Sequence, residues 1–311
     1  ACITSGVRMM EANYCLLPGR GVLRLSGADA HPFLQALITR DLDSLSPSRA
    51  AYGALLTPQG KYLFDFFLCL QGDDLLLETE AERLETLAKR LNMYRLRADV
   101  TIETLAWEVH AAFGADAGTA LDLTGVGAAK SFDDGIAFLD PRLNAAGARI
   151  IAPSGKAGSL LAAAGLNLAE AEDYDYFRLG LALPDGGKDL VVDKSLMLES
   201  NFEALHGVDF DKGCFVGQEL TARTKYRALV RKRLLPVQID GPLPDPDTPL
   251  MAGEREVGNM RSARNDRGLA LVRLDRLAEA GGMAQGLRAG AATVALELPA
   301  WADFELPEAA T

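Results

Sequence analysis

One thiol in this 311-residue chain sits in a setting that could make it chemically active. Cys214 lies in the run KGCFVGQE, directly after Lys212 and Gly213 and ahead of Gly217, Gln218 and Glu219. A cation beside a thiol lowers its pKa and raises the thiolate fraction, and the thiolate is the form that attacks electrophiles or ligates metals. The competing reading is a small hydrophobe packed between its neighbours. No His or second Cys lies close by in sequence, so a thiol hydrolase, which needs a base to activate its nucleophile, is disfavoured. Cys2, Cys15, Cys69 and Cys214 form neither a CxxC pair nor a zinc-ribbon spacing. The three histidines, His31, His110 and His206, are far apart, and GxSxG, Walker and HExxH motifs are absent. GVGAAK at Gly125 lacks the third glycine of a dinucleotide fingerprint.

Just after the thiol, Arg223, Lys225, Arg227, Arg231, Lys232 and Arg233 gather in a chain whose net charge is −11, and no acidic residue falls between Leu220 and Ile239. Such segregation reads as an anion site or an interaction face. Arg223 and Arg227 are the first candidates for ligand carboxylates, with structural ion pairs as the alternative. A nucleic-acid-binding face is a further reading, but Tyr226 is the one aromatic in the cluster, which is thin for base stacking. Nucleic acid is therefore not the expected partner.

The elements that must position these residues follow from periodicity. Hydrophobic residues at 49% and charged residues at 24% exclude global disorder, and the length suits two or three domains. Apolar runs stop short of a bilayer span, so no membrane association is expected. The start of the chain shows no secretory pattern, and a cytoplasmic, reducing compartment is the expectation. From Gly21, apolar alternation and helical spacing succeed one another as βαβββαβ, ending near Leu105, with TPQGK as a hairpin turn. A second such block runs from Trp107 to about Leu181, and Pro184 to Asp193 reads as loop. Pro236, Pro242, Pro244, Pro246 and Pro249 mark a boundary that suits a linker or barrel edge. Beyond it, GLALVRL and TVALEL predict a small β-barrel. The expected regions are 10–106, 107–235, interlocked with the first and carrying the KGCFVGQE run, and 236–311, in an α+β architecture.

KGCFVGQE followed by LTAR and a basic stretch resembles the signature of the YgfZ/Iba57 family, which is related in fold to the aminomethyltransferase, or T-protein, of the glycine cleavage system. LPGRGVLRLSGADAHPFLQALITRDL, AYGALLTPQGKYLFDFFL, YRLRADVTI, YDYFRLGLALP, VGNMRSA and GLALVRL are similar to family blocks and stand in family order. The resemblance implies a T-protein-like fold of two interlocked α+β domains and a C-terminal β-barrel around a folate site. It implies a protein that binds tetrahydrofolate or a derivative and supports assembly, maturation or repair of iron–sulfur enzymes, with assembly proteins or client enzymes as partners. An accessory role is expected ahead of an enzymatic one. By motif the functional thiol is Cys214, which Lys212 and Gly213 would position and activate, while Gly217, Gln218 and Glu219 shape the turn behind it. A cluster needs four protein ligands and this site offers one, so any cluster held through Cys214 is transient and shared.

The rival within the fold is aminomethyl transfer, for which Asp65, five positions after Gly60, is the nearest equivalent of the transferase carboxylate. Arg178 is a candidate cofactor contact, but the pterin-binding glutamate that the T-protein pattern carries two positions beyond it is replaced by Gly180. Pterin binding should therefore be weaker or differently oriented than in a transferase.

Overall fold

The computed structural model describes residues 11–227, 230–284 and 286–306. Two units divide the chain. The first holds residues up to Leu56, Phe64–Tyr174 and Leu205–Val216. The second holds Thr57–Leu63, Asp175–Ala204 and everything from Gly217 onward.

The βαβββαβ order appears as expected, as Arg20–Ser26, Ala30–Gln35, Ala51–Leu56, Tyr62–Gln71, Asp74–Glu80, Leu84–Arg95 and Thr101–Leu105. Its strands form a five-stranded sheet in the order 51–56, 62–71, 74–80, 20–26, 101–105. A six-stranded sheet follows, ordered 167–168, 13–16, 107–113, 148–153, 135–139, 129–132. Its strand Asn13–Leu16 comes from ahead of the first sheet, running antiparallel to Trp107–Phe113 with Leu16 opposite His110. That exchange interlocks the two α+β layers.

Both sheets contribute to one interior in the first unit. Phe67 and Phe138 meet at 6.0 Å between ring centroids and Tyr52 lies 5.0 Å from Phe67, while Phe64 and Phe66 are buried on the other face of the same strand. The core is also charged. Glu78 of the first sheet accepts from Arg149 of the second at 3.2 Å and pairs with Arg20, and Arg149 also donates to the Tyr174 hydroxyl at 3.0 Å. Glu78 is fully buried, so its charge is sustained by the two guanidiniums it meets.

In the second unit, Lys232–Asp240, Arg267–Arg273, Arg255–Arg264, Pro249–Ala252, Leu287–Ala289 and Ala292–Leu296 close into a six-stranded barrel. Leu235, Val237, Leu250, Val257, Met260, Val272, Leu287 and Val294 fill it. Two expectations need correction. Pro236 is in neither a linker nor a barrel edge but in a barrel strand paired on both sides, opposite Leu269, where its carbonyl accepts the N–H of Glu297. The stretch Pro184–Asp193 is not all loop, because Gly186–Asp189 forms a helical turn closed by the Asp189 carboxylate accepting from the backbone N–H of Asp185.

Candidate functional site

In the first unit the segment before the thiol is pinned by a small set of polar contacts. Thr39 donates through Oγ1 to the Gly207 carbonyl at 2.7 Å and accepts the Asp209 N–H on its own carbonyl at 2.9 Å. Asp209 takes the Asp41 N–H at 2.7 Å on one oxygen and Arg40 Nη1 at 2.9 Å on the other. Lys212 completes the attachment. Its Nζ donates to the carbonyls of Gln35, Ile38 and Arg40 at 2.7, 2.7 and 2.9 Å. These oxygens lie at and just beyond the end of the helix Ala30–Gln35, where carbonyls lose their helical partners and favour a cation. Burial lowers the Lys212 ammonium to about 8, against the opposing pull of Asp41, Asp209 and Asp43.

The expectation that Lys212 points at the thiol needs revision: its three donors are spent on backbone oxygens. Its position beside Cys214 serves as an anchor. Phe215, buried and with its ring centroid 5.7 Å from Lys212 Nζ, anchors the other side. Between these two buried side chains, Gly213 and Cys214 are both exposed. A Cβ on Gly213 would meet nothing within 4 Å, so the space beside this glycine is open. Cys15 and Cys69 are buried free thiols by contrast, and burial pushes Cys15 up to about 12 and Cys69 higher still.

The second half of the motif belongs to the second unit. Gly217 precedes the helix Gln218–Tyr226 with φ +84°. A Cβ there would stand 2.6 Å from the Thr57 carbonyl oxygen and 2.9 Å from the Gly60 Cα. The helix start is thus seated on the TPQGK turn, and only glycine allows it. Gln218 and Glu219 open the helix, and Glu219 accepts from Arg223 at 3.0 Å across one exposed turn. Arg223 and Arg227 lie four apart on one face. Arg227 is exposed beside the helix end.

Asp65 is neither at a strand end nor in solvent. It lies inside the strand Tyr62–Gln71, 3% exposed, and its Oδ2 accepts the Tyr52 hydroxyl at 2.8 Å. Burial and the Asp65 charge push that hydroxyl well above its ordinary pKa and keep it a donor. Arg178 is likewise buried, with Nε on Asp175 at 2.7 Å, Nη1 on Asp189 and the Leu183 carbonyl, and Nη2 on Ser262. Its guanidinium knits the helix Ala171–Gly180 to the turn 186–189 and the strand Arg255–Arg264. Although burial opposes it, Arg178 together with Lys188 holds Asp175 well below the usual carboxylate range.

A Cβ at Gly180 would lie 1.8 Å from Arg267 Nη1, the far end of a side chain that occupies the space beside this glycine. Arg267 in turn covers the Tyr176 ring at 4.8 Å. Arg178 is thus committed within the fold, and the carboxylate that the transferase pattern carries two positions on is absent. These residues do not fit a pterin held in the transferase manner. Among the described residues no group of three or more His, Cys, Asp or Glu is arranged to hold a metal ion. No helix among them is long and apolar enough to cross a membrane.

Sequence reasoning missed Thr39, Asp209 and Arg267. Asp209 stands three positions before Lys212 and offered a local signal, whereas the roles of Thr39 and Arg267 arise from contacts distant in sequence.

Interlocked α+β layers and a closed barrel define the aminomethyltransferase-like fold. The glycine cleavage system aminomethyltransferase T of Bartonella henselae superposes with a TM-score of 0.75, over 96% of this chain and 88% of that one, at 14% identity. A family model for the CAF17 C-terminal beta-barrel domain matches residues 231–304. The iron–sulfur cluster assembly factor IBA57, mitochondrial, of Homo sapiens is 36% identical over 278 residues, covering 82% of this chain and 76% of that protein. Its Mus musculus counterpart is 34% identical over 287 residues, covering 84% and 77%. The chain belongs to the IBA57 family of iron–sulfur cluster assembly factors.

Proposed function

We propose that this protein works in iron–sulfur cluster assembly by offering the Cys214 thiol as one ligand to a cluster whose other ligands come from a partner protein or a small thiol. The observation that carries the reading is the paired anchoring of Lys212 and Phe215, which leaves Cys214 outside on a segment that is itself held down. A fixed donor at the surface suits a transient complex, because the bond to iron forms without ordering a loose loop. In that step the thiol gives its proton to solvent and the thiolate sulfur donates an electron pair to iron, displacing a water or small-thiol ligand into solvent, with no change of oxidation state. The cluster is cargo. Fe–S clusters are held mainly by four thiolates, and one thiolate favours sharing over residence.

Tetrahydrofolate or a derivative belongs to the proposal only as a bound ligand, held differently from the pterin of a transferase. The commitments of Arg178 and Arg267, and the burial of Asp65 behind Tyr52, weigh against aminomethyl transfer. Arg223 and Arg227 are the proposed carboxylate contacts. Assembly proteins or client enzymes are the proposed partners. A reducing compartment, such as a cytoplasm or a mitochondrial matrix, would keep the thiol free.

Complementation tests this. Wild type and Cys214→Ser are expressed in cells lacking their own family member, and an iron–sulfur enzyme that fails there is assayed. Rescue by wild type alone supports the thiol role, and equal rescue by both overturns it. Calorimetry with 5-formyltetrahydrofolate tests the ligand separately, where absence of heat removes folate from the proposal.

A further inference from the structure

We propose that the C-terminal end of the helix Leu84–Arg95 is a docking surface for an acidic helical segment of another protein, one that carries apolar side chains among its carboxylates. The helix turns Leu84, Leu87 and Leu91 into the first unit and leaves its opposite face in solvent. Its last two turns hold Lys89, Arg90, Met93 and Arg95, and Leu96 and Arg97 follow directly. No acidic residue falls between Thr86 and Ala98, in a chain whose net charge is −11. This end of the helix is therefore basic against the general field of the protein.

The apolar side chains here do not serve the fold. Leu96 is 88% exposed and Met93 69%. Leu96 also ends the helix at φ +47°, backbone territory that glycine enters freely and a larger side chain does not. The position thus combines strain with an apolar side chain in water, and the folded chain gains from neither. The turn that presents Leu96 is held firmly. The Ala98 N–H donates to the Arg95 carbonyl at 2.8 Å, Arg95 Nη1 donates to the Val100 carbonyl at 3.0 Å, and the Asp99 N–H donates to the Asp29 carboxylate at 2.8 Å. A fixed apolar tip loses little freedom when a partner covers it.

The cations select the partner. Lys89 meets Glu85 at 2.6 Å one turn back, and Arg95 spends one N–H on a neutral carbonyl and keeps its charge. Arg90 and Arg97 have no hydrogen bond or ion pair among the described residues. Guanidiniums beside an apolar pair favour carboxylates, which they take two N–H groups at a time. Met93 and Leu96 stand three positions apart, a spacing that meets the apolar stripe of an amphipathic helix. An anionic lipid surface offers the same sign of charge, but it is extended and would face the acidic remainder of the chain as well. A single segment meets the patch alone, because charges beyond about 8 Å are largely screened at physiological salt. Charge complementarity therefore favours a protein segment over a membrane.

Fluorescence anisotropy on the full chain tests the surface, with a labelled amphipathic peptide of leucine and glutamate and the same peptide with lysine in place of glutamate. The acidic peptide should bind and the basic one should not. Salt at about 1 M, where the screening length falls to about 3 Å, should weaken the binding strongly. Arg90→Glu combined with Arg97→Glu should weaken it about tenfold or more. Leu96→Gly should weaken it too while holding or raising the melting temperature, because glycine relieves the positive φ. Neither the peptides nor the variants involve Cys214 or folate, so the result is independent of the proposed function. Binding to phosphatidylglycerol vesicles without binding to the acidic peptide overturns the assignment to a protein partner. No binding of the acidic peptide, or affinity unchanged in the arginine variant or in Leu96→Gly, overturns the surface itself.

Discussion

Gly217 and Gly60 meet backbone to backbone, close enough that a Cβ on Gly217 would stand 2.9 Å from the Gly60 Cα. The contact explains one glycine of the KGCFVGQE motif by packing, while the other, Gly213, faces open space. Substitution should separate the two. Gly217→Ala combines a positive φ with a clash against the Thr57 carbonyl and should cost about 2 kcal/mol or more. Gly213→Ala should leave stability nearly unchanged. Urea denaturation of both variants checks this, and equal losses would contradict the assignment.

Lys212→Met removes one ammonium from three backbone oxygens. Leaving partly buried acceptors unpaired should cost about 2 to 4 kcal/mol. The loss should also depend on pH. Burial lowers Lys212 to about 8 in the folded protein, against an ordinary value of 10.5. Between those values the unfolded chain binds more protons, so this group's contribution to stability rises as the pH climbs from about 8 to 10.5. Methionine does not titrate. The advantage of wild type over the variant should therefore widen across that window, and denaturation at pH 7, 8.5 and 10 measures it.

The thiols should react in a fixed order. In a Cys2→Ser background, Cys2 itself lying outside the described residues, a thiol-exchange reagent should label Cys214 at once in native protein. Cys15 and Cys69, buried and with raised pKa values, should label only on unfolding. One fast equivalent before denaturant and two more after it is the expected count by absorbance.

Glu78→Gln should damage the first unit from inside. It takes the charged partner from the buried Arg149 and weakens the Arg20 pair, which should cost about 3 to 5 kcal/mol. Replacement of all three residues by apolar ones of similar size should recover part of that loss. Thermal unfolding of the single and triple variants compares them, and a neutral Glu78→Gln would refute a coupled cluster.

The βαβββαβ order was legible because each element carries its own periodicity, as in Val22, Leu23 and Leu25 or Leu84, Leu87 and Leu91. The barrel was legible in outline from GLALVRL and TVALEL, but Pro236 was misread because proline's tolerance in a strand depends on which neighbours need its missing N–H. The exposed thiol could be picked from its motif. The work of Lys212 could not, since its carbonyl partners stand more than 170 positions away. Arg178 shows the same limit: an isolated arginine reads as a ligand contact until Asp175, Asp189 and Ser262 are brought to it.

The strand Asn13–Leu16 pairs with Trp107–Phe113 and with Asn167–Leu168. During synthesis it emerges well before either partner exists. Until the ribosome has passed residue 113, the nascent chain carries an unsatisfied strand edge, the kind of surface that holdase chaperones shield and that aggregates recruit. Folding of the first unit is thus expected to be slow, since Asn13–Leu16 must wait for Trp107–Phe113 before it can pair.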